Sequence, residues 1–320
     1  MATTETQILD EVIASSRRRI MTMGGTALAG LLLGSAAKAE AQAQAGFTDN
    51  DYLNFALNLE YLEAEYYTLA TTGKTLAQAG IGVGPGTTAT GGGTVTVKPT
   101  GAASCKVPFA MPNVASYASE LATEEQKHVT YLRGVLGGAT VAEPDIDLFN
   151  SFNAAAAAAG IGPAFDPFAD DVAFLLGSYI FEDVGVTAYH SLASFVTSAS
   201  NRSAVPGILA VEAYHAGLVR TVLWGLDRAT PAAGIAATAT KITDLRTKLD
   251  GTNNDDVGLQ TVQVGLNTGG ANFTASTILN AGTEAIIFSR VPDRVIAIVY
   301  GNSNRVGGGF YPSRMNGLIR

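Results

Sequence analysis

Two glutamate-histidine pairs at one spacing constrain this chain more than any other feature. Glu125 and His128 stand three residues apart in TEEQKHVTYLR, and Glu212 and His215 repeat the spacing in VEAYH. On a helix, residues i and i+3 project from nearly the same face, so a carboxylate and an imidazole reach one ion together. The chain has three histidines, and two of three following a glutamate at this distance is a chance event roughly one time in 200. Taken alone, the first pair reads as a charged stripe, because Glu124, Gln126 and Lys127 beside it look solvated. The second sits among Ile208, Leu209, Val211, Leu218 and Val219, where an acid and an imidazole without partners are costly.

Helix signals place both pairs. A first helix is expected from Asp49 to about Ala70, with Thr48 as N-cap, Asp51 three residues on and Gly73 as C-cap. A second runs from about Pro112 to Val135, with proline at its start and two glycines after it. Between them, residues 80–105 are rich in Gly and Thr and read as a loop or short hairpin around TVTV. The connection EPDIDLFNSFNAAAAAAGIGPAF holds at most one short helix, and its poly-Ala run from Ala154 to Ala159 reads as packing or spacer. Asp166 and Pro167 open a third helix to about Ser198, and a fourth runs from about Ala204 to Asp227 with Pro206 near its start. Two helices, a long crossover and two more helices make an all-α four-helix bundle whose crossover joins helices 2 and 3.

The bundle is expected over residues 46–230, with 231–320 as a mixed extension packed on it: KITDLRTKLDG as a short helix, AIIFSR as a strand or extended segment, and DRVIAIVYG as another helix. Residues 1–45 read as an export signal. SRRRIM, with Arg17 and Arg18 paired, precedes the moderately apolar MTMGGTALAGLLLGSAA, which is short for a membrane span, and AKA (37–39) and AQA (43–45) fit cleavage. This resembles a twin-arginine signal and implies a folded protein exported to a bacterial periplasm or beyond, with no stable membrane span after signal removal. An uncleaved anchor is the competing reading. In this segment Arg17, Arg18, Arg19 and Lys38 cancel Glu5, Asp10, Glu11 and Glu40, so the formal charge of −8 belongs to the body. An acidic body repels phosphate backbones and excludes nucleic acid as a partner. With the single cysteine Cys105, chemistry falls to carboxylates, histidines and hydroxyls.

A dinuclear site on such a bundle needs a further glutamate from each of the other two helices. The third helix offers Glu182, set among Ile180, Phe181, Val184 and Val186; its neighbour Asp183 points about 100° away and is the weaker candidate. The first offers Glu60, Glu63 and Glu65 in NLEYLEAEYY; Glu60 and Glu63 share a face with Tyr67, and Glu65 is turned away from Glu60. Buried carboxylates on facing helices repel one another unless cations neutralise them. His190 reads as a polar end of the third helix, Tyr61, Tyr66 and Tyr67 as core residues with Tyr67 placed to bond a ligand, and Cys105 as incidental.

The set NLEYLEAEYY, EEQKH, FEDVGVTAYH and VEAYH, with the tail FSRVPDRVIAIVYG, resembles the ferritin-like superfamily. The likeness is to the branch of exported bacterial proteins, plant desiccation-related proteins and fungal stress-response proteins. The resemblance implies Glu60 with Tyr67 seven residues on, Glu125 with His128, Glu212 with His215, and Glu182 as metal ligands. Glu63 departs from that template, as the ligand in place of Glu60, a supporting group or an additional metal group. Arg290 is expected to pair with a bundle carboxylate on the resemblance alone.

Mixed Glu and His ligands suit two iron or two manganese ions. The expected activity is handling of peroxide, dioxygen or ferrous iron under oxidative or drying stress, in a ferroxidase-like or manganese-catalase-like form, with a homo-oligomer in view. The competing class is a stress-protective structural or metal-binding protein that turns nothing over.

Overall fold

Capping chemistry sets the helix ends in the computed structural model, which describes residues 46–252, 255–264 and 273–320. The expected export signal over residues 1–45 lies outside the described residues. Helix α1 spans Asp49–Thr72. At its start Asp51 accepts the Thr48 N–H at 2.7 Å, and at its end Gly73, at φ 70°, donates to the Leu69 carbonyl. A short turn α2 (Leu76–Ala79) follows, then α3 (Pro112–Leu136) with proline in its first turn. The crossover carries α4 (Asn150–Ala158), and the bundle closes with α5 (Asp171–Phe195) and α6 (Ala199–Ala229). Helix α1 packs on α3 and α5 on α6, with α1 crossing to α5. This is the all-α bundle that the spacing predicts, with its long crossover between the second and third bundle helices.

Two helix starts differ from expectation. The third bundle helix begins at Asp171, because Asp170 accepts the Ala173 N–H at 2.8 Å, while the exposed Asp166 accepts the Phe168 N–H and pairs with Lys98. The fourth begins at Ala199, so Pro206 lies two turns inside it. The lost proline donor is offset at the helix start: Ser198 caps it, and Asp49 accepts from the Thr197 and Ser198 N–H groups and from Asn201.

Helix α1 is buried on every face from Tyr52 to Ala70, which a two-layer bundle alone does not achieve. The insert, crossover and tail cover its outer side. Asn54 bonds the Ala139 carbonyl and the Val141 N–H, Asn58 bonds the backbone of Asn316, and Tyr311 donates to the Asn58 carbonyl. Of the loop or short hairpin expected around TVTV, the structure shows a loop with one short strand. Strand β1 (Val95–Thr96) pairs in parallel with β2 (Ile146–Asp147) of the crossover, a pairing between distant segments that local turn signals do not reveal.

After α6 come α7 (Ile235–Asp250), an antiparallel pair β3 (Thr261–Val264) with β4 (Phe273–Ser276), and α8 (Pro292–Val299). AIIFSR is extended with one bridge, Ala281 to Ile287. Three fully buried arginines knit this region to the bundle. Arg220 and Arg246 both reach Asp183 Oδ2 at 2.8 Å, and Arg246 also holds Asp256 at 2.7 Å. Arg290 pairs with Asp250 at 2.8 Å and Asp256 at 3.1 Å. The expectation that Arg290 meets a bundle carboxylate is therefore corrected: among the described residues its carboxylate partners lie after α6, and its hydrogen bonds to the bundle go to Thr187.

Helix α5 is long and apolar enough to cross a membrane, but 83% of its most apolar window is buried inside the protein. Its apolar surface serves the bundle core.

Candidate metal centre

Each bundle helix delivers its acid to the same locus. Glu60 and Glu63 come from α1, Glu125 and His128 from α3, Glu182 from α5, and Glu212 and His215 from α6, and all seven are buried. They form two groups: ligand atoms of Glu60, Glu125, His128 and Glu212 lie within 4.8 Å of one another, as do those of Glu125, Glu182 and His215. Glu125 belongs to both. His128 Nδ1 stands 3.2 Å from Glu60, 3.4 Å from Glu125 and 3.5 Å from Glu212. His215 Nδ1 stands 2.9 Å from Glu125 and 3.6 Å from Glu182, and the two rings are 6.3 Å apart between centroids. Glu63 is outside both groups, one helical turn from Glu60 and beside Glu212.

The polar atoms here lack the partners that burial demands. Glu63 Oε2, Glu182 Oε2, both oxygens of Glu125 and of Glu212, and His215 Nδ1 are buried without a well-formed hydrogen bond, although His215 Nδ1 stands within 2.9 Å of Glu125. Each such group costs ~1–3 kcal/mol if left so. Their convergence fits a cation site, because one ion satisfies several lone pairs at once.

Electrostatics says the same. Burial pushes the Glu60 carboxyl up to about 8 against the pull of His128. Burial and the charges of Glu212 and Glu125 raise Glu63 well above the carboxylate range. Burial also raises Glu182, despite His215, and Glu212, with Glu125 adding to it. Glu125 goes the other way: burial opposes its charge, but the imidazoles of His128 and His215 hold it well below the usual range. Burial likewise opposes charge on the histidines, yet Glu60, Glu125 and Glu212 lift His128 far above its ordinary value, and Glu182 and Glu125 lift His215 to about 11. Cations would displace the protons that this cluster otherwise retains.

Tyr67 bonds a ligand candidate as expected, while Glu124, Tyr189 and Gly185 are support that the sequence reading lacks. Glu124, expected to be solvated, lies 2.7 Å from His215 Nε2, which directs Nδ1 of that ring at the centre. Tyr189 donates to Glu60, while Tyr67 donates to Glu182. Tyr189 follows Glu182 by seven residues, as Tyr67 follows Glu60, and that repeat was the available signal. Gly185 supplies room: a Cβ there would stand 2.5 Å from Glu212 Oε2 and 3.4 Å from Glu63 Oε1.

The other candidates lie elsewhere. Asp183 is spent on Arg220 and Arg246. Glu65 accepts the Leu76 N–H and lies against Glu143 on the far side of α1. His190 meets the Phe288 carbonyl, and Lys127 is exposed as expected. A surface cleft between α3 and α6, lined by Tyr117, Leu121, Glu124, Tyr214, His215 and Leu218, reaches the centre from solvent at the Glu124–His215 contact.

Residues 48–224 match the family model described as ferritin-like domain. Among characterised proteins, the chain is 28% identical to a ferritin-like catalase, Nec2, of Nesocodon mauritianus, over 85% of this chain and 84% of that one. It is 30% identical to the desiccation-related protein PCC13-62 of Craterostigma plantagineum, over 78% of this chain and 76% of that one. No solved structure matches the chain.

Proposed function

The chain belongs to the ferritin-like domain family, and from that membership we propose that it is an exported protein with a dinuclear iron or manganese site that disproportionates hydrogen peroxide. The observation that carries this reading is the set of unpartnered buried atoms on Glu125, Glu182, Glu212 and His215. Glu60, Glu125, Glu182 and Glu212 as carboxylates carry the charge that two divalent ions neutralise, with His128 and His215 as neutral donors through Nδ1. Glu125, common to both groups, would help to hold either ion. The relative named as a catalase supports peroxide as substrate.

Two such ions would supply two-electron chemistry, by which one peroxide would be reduced to two waters, using two protons, and a second oxidised to dioxygen, returning two protons. The chain's own residues do the rest. Tyr67 and Tyr189 fix the carboxylates of Glu182 and Glu60, and Glu124 fixes the tautomer of His215. Glu63 lies beside Glu212, where burial and the charges of Glu212 and Glu125 raise its carboxyl well above the usual range in the absence of ions. The cleft at Glu124 admits a small polar molecule, and the apolar packing of α5 excludes bulk water from the remainder.

Export by the twin-arginine route is part of the proposal, since that route carries a protein already folded around its ions. Metal analysis of protein purified after cytoplasmic loading should give close to two iron or manganese ions per chain, and an oxygen electrode should register dioxygen on adding peroxide. Protein that stays free of both metals after supplementation would sink the assignment. The desiccation-related relative supports a second reading, a stress-protective protein that binds metal without turnover; full occupancy with no dioxygen release, and no ferrous oxidation, selects it.

A further inference from the structure

A cavity of about 130 Å³ lies between α4, α5, α7, α8 and the tail, lined by none of the acidic cluster's residues. The alanines of α4 form one wall, and they leave the space open because they carry no atoms beyond Cβ. Opposite them stand Ile180, Ile242, Leu245, Leu249 and Ile298. Phe152, Phe165 and Phe310 close the ends. Ile180, Leu245, Leu249 and Phe165 are only half-buried, although each faces into the fold. Filling the cavity would take that apolar surface out of water.

The polar groups at its edge already have partners within the protein. Arg246 is paired with Asp183 and Asp256 and donates to the Tyr179 carbonyl. Thr238 donates to the Gly234 carbonyl at 3.0 Å, Ser151 to the Asp147 carbonyl, and the Tyr300 hydroxyl receives the Met315 N–H at 2.8 Å. Water needs about two to four polar partners to reside in such a space, and an apolar cavity of about 150 Å³ is known to stay dry and to take up benzene. Among the described residues Arg246 is the charged group at its edge, and it is already paired with two carboxylates, so a charged ligand would find no free counter-charge.

We propose that this cavity is a binding site for a small uncharged apolar molecule of about one aromatic ring. Shape sets the upper size, the aliphatic and aromatic walls set the chemistry, and the paired Arg246 rejects anions. The site is distinct from the metal centre but adjoins its packing. Phe310 lines it and meets Phe181 edge-on at 4.9 Å, and Phe181 with Glu63 borders the small void on the centre's side.

Benzene is the probe, added to the purified, metal-loaded full chain. Thermal unfolding should shift upward by about 2 °C or more at saturation, and methyl NMR shifts should be confined to Ile180, Ile242 and Ile298. Benzamidine, the same ring with a positive charge, should produce neither. Ala155→Leu fills the space and should abolish the benzene response. Should that variant fail to fold, the methyl shifts in the unaltered protein still decide the matter. Unmoved methyls at benzene saturation, shifts spread over the rest of the protein, or an equal response to benzamidine would each overturn the proposal.

Discussion

Tyr189 donates its hydroxyl to Glu60 across the bundle, and in return Tyr67 on the Glu60 helix donates to Glu182, seven residues before Tyr189. The two antiparallel contacts give the centre an approximate twofold pattern, with Glu125 and His128 facing Glu212 and His215. Each tyrosine satisfies one carboxylate oxygen and leaves the other for an ion. Tyr189→Phe deletes the donor without emptying space, so the helices should stay folded by circular dichroism. Metal affinity should fall about 10- to 100-fold, the usual effect of losing such support, measured by chelator competition. Unchanged affinity would remove Tyr189 from the site.

Glu124 acts on His215 rather than on an ion. Holding the Nε2–H fixes Nδ1 as the free lone pair. Glu124→Ala should release the ring and lower affinity about 10- to 100-fold, whereas Glu124→Gln, which keeps an accepting oxygen, should recover a large part of it. Equal losses in the two variants would show that charge, not the hydrogen bond, is what matters.

The bundle and the seven inward-facing groups were legible because their signal is local: a helical face, a cap, a spacing of three. What was not legible depended on other chain segments. Glu124 sits next to Glu125 but points to a different helix, so its partner His215 is 91 residues away. The parallel pairing of Val95 with Ile146 and the tail's cover over Asn58 are likewise contacts between remote stretches. Asp166 and Asp170 both suit an N-cap, and the choice fell to the one whose side chain meets an amide three residues on. Arg290 failed as a guess because a resemblance names a residue type without naming its partner.

Gly185 separates stability from binding. Alanine is ~1 kcal/mol better than glycine inside a helix, and Gly185 lies within α5. Yet an added Cβ would stand 2.5 Å from Glu212 Oε2, the end of a side chain that can swing away. Gly185→Ala should therefore leave the metal-free protein as stable as before, or more so, while Glu212 is displaced and at least one ion is lost. Metal stoichiometry and thermal unfolding on the same samples check both halves. A variant that keeps full occupancy would mean Glu212 is not held where this geometry places it.

Glu65 and Glu143 form a second buried acid pair on the outer side of α1, with no cation expected. Each leaves one oxygen unpartnered, and the two carboxyls lie against one another, an arrangement that a shared proton stabilises. Burial lifts Glu65 to about 7 against the Leu76 N–H, and burial with the charge of Glu65 lifts Glu143 to about 10. Both folded values exceed the ordinary 4.5, so the folded state binds more protons than the unfolded state between those limits. The pair's contribution to stability is thus complete below about 4.5 and declines as pH rises through about 7 and onward to about 10. Glu143→Gln keeps a neutral donor beside Glu65 and removes the shared proton. Its unfolding midpoint should fall less steeply with pH between 5 and 9 than that of the unaltered protein, when both are followed by urea denaturation. Parallel pH profiles would show that the two carboxyls do not share a proton in solution.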